Sequence, residues 1–141
     1  MARVLQTSIE IEANSEQVWQ VLTDFDSWPD WNSTDPGFSG ELNEGARVEL
    51  TTAAPNGKTN QVKITLTSVE PNRQLSWESS VPLLFKARHL YRIETHESGC
   101  TLYNEASFGG LLLLIIGKQL PTEEMFNETN RRLKKRIESL L

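Results

Sequence analysis

The chain opens on alternation. Val4, Ile9 and Ile11 stand among polar residues over 3–11, most regularly in Ser8-Ile9-Glu10-Ile11, and predict a first strand. The period then changes. Val18, Trp19, Val21, Leu22 and Phe25 recur at helical spacing and predict a short amphipathic helix over 15–23. Asn14 is placed to cap it, with Gln17 in the capping-box position. From residue 47 the alternation returns: Val48, Leu50 and Thr52, then Val62, Ile64 and Leu66, then Leu75, Trp77, Ser79 and Val81. Phe85, Ala87, His89, Tyr91 and Ile93 alternate next with Lys86, Arg88, Arg92 and Glu94, and Cys100 to Phe108 makes a last strand. Pro55-Asn56-Gly57, Pro71-Asn72 and Glu97-Ser98-Gly99 supply the turns. Finally, Met125, Phe126, Leu133, Ile137 and Leu140 form a helical stripe over 122–141. Glu123, Glu124 and Glu128 lie towards the start of that helix and five cations between Arg131 and Arg136 towards its end, as the helix dipole favours.

One stretch fits neither period. Asp24-Phe25-Asp26-Ser27-Trp28-Pro29-Asp30-Trp31-Asn32 holds two of the four tryptophans around a proline and predicts a short irregular helix or turn. Large aromatics on a broken segment fill the mouth or floor of something concave. Pro36-Gly37 and Ser39-Gly40 after it read as a loop.

The order is strand, two short helices, a run of antiparallel strands and one long helix. This is an α+β pattern, in which the helix covers the apolar face of a curled sheet. Strong curling leaves space between the two layers. The 141 residues suit one domain, spanning 1–141. A net charge of −5 argues against nucleic-acid binding and suits a cytoplasmic protein. Met1-Ala2-Arg3-Val4 does not open a signal peptide. The six apolar residues Leu111 to Ile116 are far short of the about 20 that a membrane span needs, so no integral membrane segment is expected. They pack into the core, line a pocket opening or form a lip for a membrane or a homodimer. Cys100 is the only cysteine and reads as a structural thiol. The two histidines lie on opposite faces of one strand, and no metal, phosphate-loop, dinucleotide or serine-elbow motif occurs. No cofactor is expected.

Candidate chemistry sits on the hairpin from Phe85 to Phe108. If Gly99 takes a left-handed position in a three-residue bulged loop, Tyr91 pairs with Glu105 and His89 with Ser107. His89, Tyr91, Tyr103 and Glu105 then face the interior, while Asn104 faces solvent with Lys86 and Arg88. A buried carboxylate needs a partner, and His89 is the natural one. The pair fixes sheet register, anchors an apolar ligand or moves a proton. A two-residue loop would instead turn Leu102, Asn104 and Ala106 inward and dissolve the pair.

Together these residues resemble the bacterial polyketide cyclase/dehydrase-like branch of the START-like, helix-grip superfamily (SRPBCC). The resemblance rests on Ile9-Glu10-Ile11, Val18-Trp19, the string from Asp24 to Asn32, Gly45-Ala46-Arg47-Val48, Leu75 before Trp77, His89 after Phe85, and Glu105 before Phe108 and Gly110. It implies a curved antiparallel sheet of about seven strands around the C-terminal helix, two short helices closing one end, and a deep cavity for lipid-like molecules. It does not imply one activity. The leading expectation is a binding protein for a hydrophobic or aromatic small molecule, with Trp31, Trp77, Phe85, His89, Tyr91, Tyr103 and Glu105 as candidate contacts. The alternatives are a cyclase or dehydratase working through His89 and Glu105, and a partner-binding module.

Overall fold

The computed structural model describes residues 2–141. Seven antiparallel strands form one sheet: β1 (Ala2–Ile11), β2 (Gly37–Ser39), β3 (Arg47–Ala53), β4 (Thr59–Glu70), β5 (Gln74–Val81), β6 (Phe85–His96) and β7 (Gly99–Gly109). Their order across the sheet is β1-β7-β6-β5-β4-β3-β2, so β1 crosses over to pair with the last strand. Four helices complete the chain: α1 (Ser15–Leu22), α2 (Trp28–Trp31), α3 (Leu113–Ile116) and α4 (Glu123–Ser139). This is the α+β architecture that the pattern of periods predicts, in the helix-grip arrangement that the resemblance implies.

Local chemistry sets the boundaries. The capping box forms as expected: Gln17 N–H donates to Asn14 Oδ1, and Asn14 N–H donates to Gln17 Oε1. Thr122 caps α4 through the N–H of Met125. The aromatic string folds into a 3-10 turn (Phe25–Ser27) followed by α2, with Pro29 inside the first turn of α2, where its missing N–H costs nothing. Residues 37–39, expected as a loop, form the edge strand β2. Phe38 pairs with Leu50 and stacks on Phe25 with ring centroids 3.7 Å apart, and this anchors the edge.

The β6–β7 hairpin departs from the three-residue loop. Only Glu97 and Ser98 lie outside the ladder: His96 pairs with Gly99, Tyr91 with Asn104 and His89 with Ala106. Leu102, Asn104 and Ala106 therefore face inward and are buried, while Tyr103 and Glu105 lie on the outer face. The glycine serves a long-range contact instead of a bulge. At Gly99, φ is +144° and a Cβ would lie 2.3 Å from the carbonyl oxygen of Ile11 on β1.

The main core lies between the sheet and the C-terminal half of α4. Val18, Leu22, Trp28, Trp31, Leu102, Leu133 and Ile137 are all buried there. Trp28 donates its indole N–H to the carbonyl of Leu22 (2.9 Å), so burial leaves no orphaned donor. Trp28 and Trp31 meet edge to face in this cluster, with ring centroids 5.8 Å apart. A smaller cluster of Leu5, Ala106 and Phe126 holds the other half of α4.

Candidate functional site

Beside that smaller cluster the sheet, the Thr34–Asp35 loop and the segment before α4 line a cavity of about 470 Å³. Its walls come from Leu50, Val62 and Ile64 on β3 and β4, Trp77 on β5, and Phe85 and Phe108 on β6 and β7. Ile116 and Leu120, from the segment before α4, contribute a further side. Thr34, Asp35 and His89 also line it and supply its polar, buried groups. Thr52, Asn60, Gln61, Ser79, Arg88 and Gln119 add further polar positions to the lining, and a cavity of this volume with apolar walls and several polar groups suits a small molecule.

Each polar group is held by its neighbours. The His89 ring stacks between aromatics, with centroids 4.5 Å from Trp77, 4.9 Å from Tyr91 and 5.1 Å from Phe126. A directed chain of hydrogen bonds fixes its tautomer. Thr7 Oγ1–H donates to the Asn104 carbonyl (2.7 Å), and Asn130 Nδ2 donates to Thr7 Oγ1 (2.9 Å). Asn104 Nδ2 then donates to Asn130 Oδ1 (2.9 Å), which leaves Asn104 Oδ1 to accept from His89 Nε2 (2.7 Å). The proton of neutral His89 is thus on Nε2, and Nδ1 presents a lone pair.

That lone pair faces Asp35, with Nδ1 and Oδ2 3.7 Å apart. Asp35 sits in the loop between α2 and β2. Its N–H donates to Asn32 Oδ1 (2.8 Å), and the neighbouring Thr34 carbonyl accepts from Ala53 on β3 (2.8 Å). Thr34 Oγ1 also shares a hydrogen bond with Thr129 of α4 (2.7 Å). The loop is therefore pinned to the sheet on one side and to the helix on the other.

Burial governs the protonation of both groups. It pushes the Asp35 carboxyl up to about 7. It pushes His89 down to about 4, although the Asn104 hydrogen bond pulls the other way. An ion pair would shift both in the opposite senses. This is instead a carboxyl facing a neutral imidazole, 3.7 Å apart and not hydrogen-bonded to each other. Asp35 Oδ2, Asn32 Nδ2 and the Tyr91 hydroxyl are buried without a hydrogen-bond partner among the described residues. Burial and the Asp35 charge raise the Tyr91 phenol well above its usual range; Asn32 opposes this without making a well-formed bond. Unpartnered polar atoms so close together mark a place prepared for another polar group.

The sequence-derived candidates divide by location. His89, Trp77 and Phe85 line the cavity. Trp31 and Tyr91 lie in the core behind it, at 2% and 0% exposure. Tyr103 and Glu105 face outward because of the two-residue loop, and Tyr103 carries the Arg92 guanidinium 4.1 Å over its ring. Asn104, expected in solvent, is fully buried. Sequence reasoning missed Asp35, Asn104, Thr129 and Asn130. The last two were within reach: they fall on the stripe between Phe126 and Leu133, and two polar residues on a buried helix face signal a polar interior. Among the described residues, no group of three or more His, Cys, Asp or Glu side chains could hold a metal ion, and no helix is long and apolar enough to cross a membrane.

Known structures share the fold at low identity. A structural-genomics protein from Nitrosomonas europaea superposes with a TM-score of 0.72 at 17% identity, covering 97% of this chain and 95% of that one. One from Mesorhizobium loti gives 0.70 at 17% identity, covering 97% and 98%. The di-domain ARO/CYC BexL from the BE-7585A biosynthetic pathway gives 0.70 at 14% identity, and the match covers 97% of this chain but 50% of that one. No curated protein matches the sequence. The family model described as polyketide cyclase / dehydrase and lipid transport matches residues 2–138, nearly the whole chain, and the protein belongs to that family.

Proposed function

We propose that the protein binds a mostly apolar, flat small molecule in this cavity, with the ligand's polar group directed at Asp35, His89 and Thr34. The observation that carries this is that Asp35, whose Oδ2 is buried without a hydrogen-bond partner, lines a cavity whose walls include Leu50, Val62, Ile64, Trp77 and Phe85. Covering the aromatic and aliphatic walls would contribute about 25 cal/mol per Å² of apolar surface removed from water, before ordering costs. The polar group would set orientation. Trp77 and Phe85 are the proposed wall contacts. Glu105 and Tyr103 face away, and Asp35 takes the role first given to Glu105.

The test is a titration of intrinsic tryptophan fluorescence with a naphthalene-based apolar probe, in the native chain and in Ala87→Trp. Ala87 lines the cavity, so the larger side chain fills it. Saturable binding that Ala87→Trp weakens at least about tenfold supports the proposal. Equal binding by both proteins refutes it.

A second reading rests on the Asp35–His89 pair. In its deprotonated form the buried Asp35 carboxylate, raised in basicity by burial and set beside the His89 lone pair, is equipped to take a proton from a carbon next to a carbonyl. The resulting enolate would attack a second carbonyl and form a carbon–carbon bond. The new alkoxide would take up a proton, and loss of water would then complete a cyclisation–dehydration. Asp35→Asn would abolish such turnover while leaving apolar probe binding nearly intact; retained turnover would remove Asp35 from the mechanism.

A further inference from the structure

Two short segments meet at the rim of the cavity and expose a concentration of large apolar side chains. One is the β5–β6 turn, where Val81 is 48%, Leu83 91% and Leu84 45% exposed. The other leads into and through α3, where Leu111 is 66%, Leu114 70% and Ile115 78% exposed. They are joined backbone to backbone. The Leu112 N–H donates to the Leu84 carbonyl (2.9 Å), and a Cβ on Gly110 would lie 2.3 Å from that same carbonyl oxygen. Phe85 and Ile116, which follow the two apolar groups in the chain, line the cavity. The six exposed side chains are therefore one patch at the cavity mouth, of the kind that marks an interaction surface.

Leu83 adds an independent sign. Its φ is +66°, a left-handed conformation that costs a bulky residue about 1–2 kcal/mol and that asparagine or glycine would adopt more readily. A leucine held there, almost fully in water, gains nothing for the fold.

The charges around the patch identify its occupant. The protein carries a net charge of −5, yet neither 79–87 nor 109–122 contains an acidic residue. Both contain a lysine, Lys86 and Lys118, and each is exposed. Arg3 adds a third cation, with its guanidinium on the Gly117 carbonyl (2.8 Å), and one carboxylate, Glu123, lines the same hollow as Arg3 and Lys118. Arg88, just beyond, is paired with Glu78. In a two-fold dimer through this patch the cations of the two copies would face each other, which is unfavourable. An anionic lipid surface satisfies both features, taking the leucines into the acyl boundary and the cations among its headgroups. We propose that the cavity mouth docks on an anionic lipid bilayer through the Val81–Leu84 turn and the α3 segment. This does not depend on what, if anything, occupies the cavity.

The test is co-sedimentation of the full chain with phosphatidylglycerol/phosphatidylcholine vesicles and with pure phosphatidylcholine vesicles. Binding should be strong only on the anionic vesicles and should fall as salt is raised. Leu83→Asp with Ile115→Asp should weaken it at least about tenfold, and Lys86→Glu or Lys118→Glu about fivefold or more each. Leu83→Asn separates docking from folding: it should raise thermal stability, by relieving the backbone, while weakening vesicle binding. No sedimentation with anionic vesicles overturns the proposal, as does binding that ignores the leucine substitutions. Indifference to the lysine reversals overturns the choice of an anionic surface. A dimer in light scattering that Leu114→Asp dissolves would assign the patch to a second copy and also overturn it.

Discussion

The two halves of α4 face different interiors. Its C-terminal half inserts Leu133 and Ile137, at 0% and 1% exposure, into an apolar cluster that includes Trp28 and Trp31. Its N-terminal half buries Thr129 and Asn130 just as deeply, but against Thr34, Asn104 and Thr7. One half packs into an apolar core, and the other joins a buried polar network that reaches Thr34 and His89, two residues that line the cavity. The difference shows how a small domain combines stability with a site: the apolar end supplies folding energy, and the polar network at the other end holds His89 in place at the cavity.

The sharpest way to break this contrast is through pH. In the folded state Asp35 titrates at about 7, above its usual 3.8. Between about pH 4 and 7 the native state therefore holds a proton that the unfolded state has lost, and stability falls as pH rises through that window. His89 titrates at about 4, below its usual 6.5. The unfolded state binds the extra proton there, and stability rises between about pH 4 and 6.5. Each effect is on the order of 3–4 kcal/mol, and over the shared window they oppose each other. Chemical denaturation from pH 4 to 8 should therefore give a shallow profile for the native chain. Asp35→Asn should leave a profile that climbs with pH, and His89→Gln one that descends. Parallel profiles for all three would mean that the two groups are not buried as described.

At the apolar end, Leu133→Ala should cost about 2–5 kcal/mol at any pH, because it opens a cavity among side chains that cannot collapse into it. Asn130→Ala, at the polar end, should cost less, about 1–3 kcal/mol, by leaving Thr7 and Asn104 with unmet hydrogen bonds. Urea unfolding of the two variants measures both. A larger loss for Asn130→Ala would reverse the assignment of the two halves.

The smallest effect concerns the caps, which belong to neither half. Asn14→Ala removes one side of the capping box on α1 and should cost about 1 kcal/mol, with apolar probe binding unchanged. A change in probe binding would show that α1 shapes the cavity.

The fold was legible because its periods are clean. The strand alternations, the capping residues Asn14 and Gln17 and the stripe on α4 are all local signals. The site was less so, because it depends on register and on contacts between distant segments. Glu97-Ser98-Gly99 suits a two- or a three-residue loop equally well, and what decides between them is the approach of the Ile11 carbonyl to Gly99, nearly 90 residues away in the chain. A one-residue difference in register exchanges the whole face of β7, which replaced Glu105 with Asn104 inside. Asp35 is hidden for another reason. It lies in an Asp-Pro-Gly sequence that reads as a solvated turn, and only the bonds from Asn32, Ala53 and Thr129 carry that turn into the interior.

The inner wall of the cavity holds a neutral His89 imidazole facing the Asp35 carboxyl. Nitrogen-15 NMR of the His89 ring at pH 6 tests it most directly. The expected result is a neutral ring with its proton on Nε2 and an unprotonated Nδ1 towards Asp35. A doubly protonated ring, or a proton on Nδ1, would contradict it.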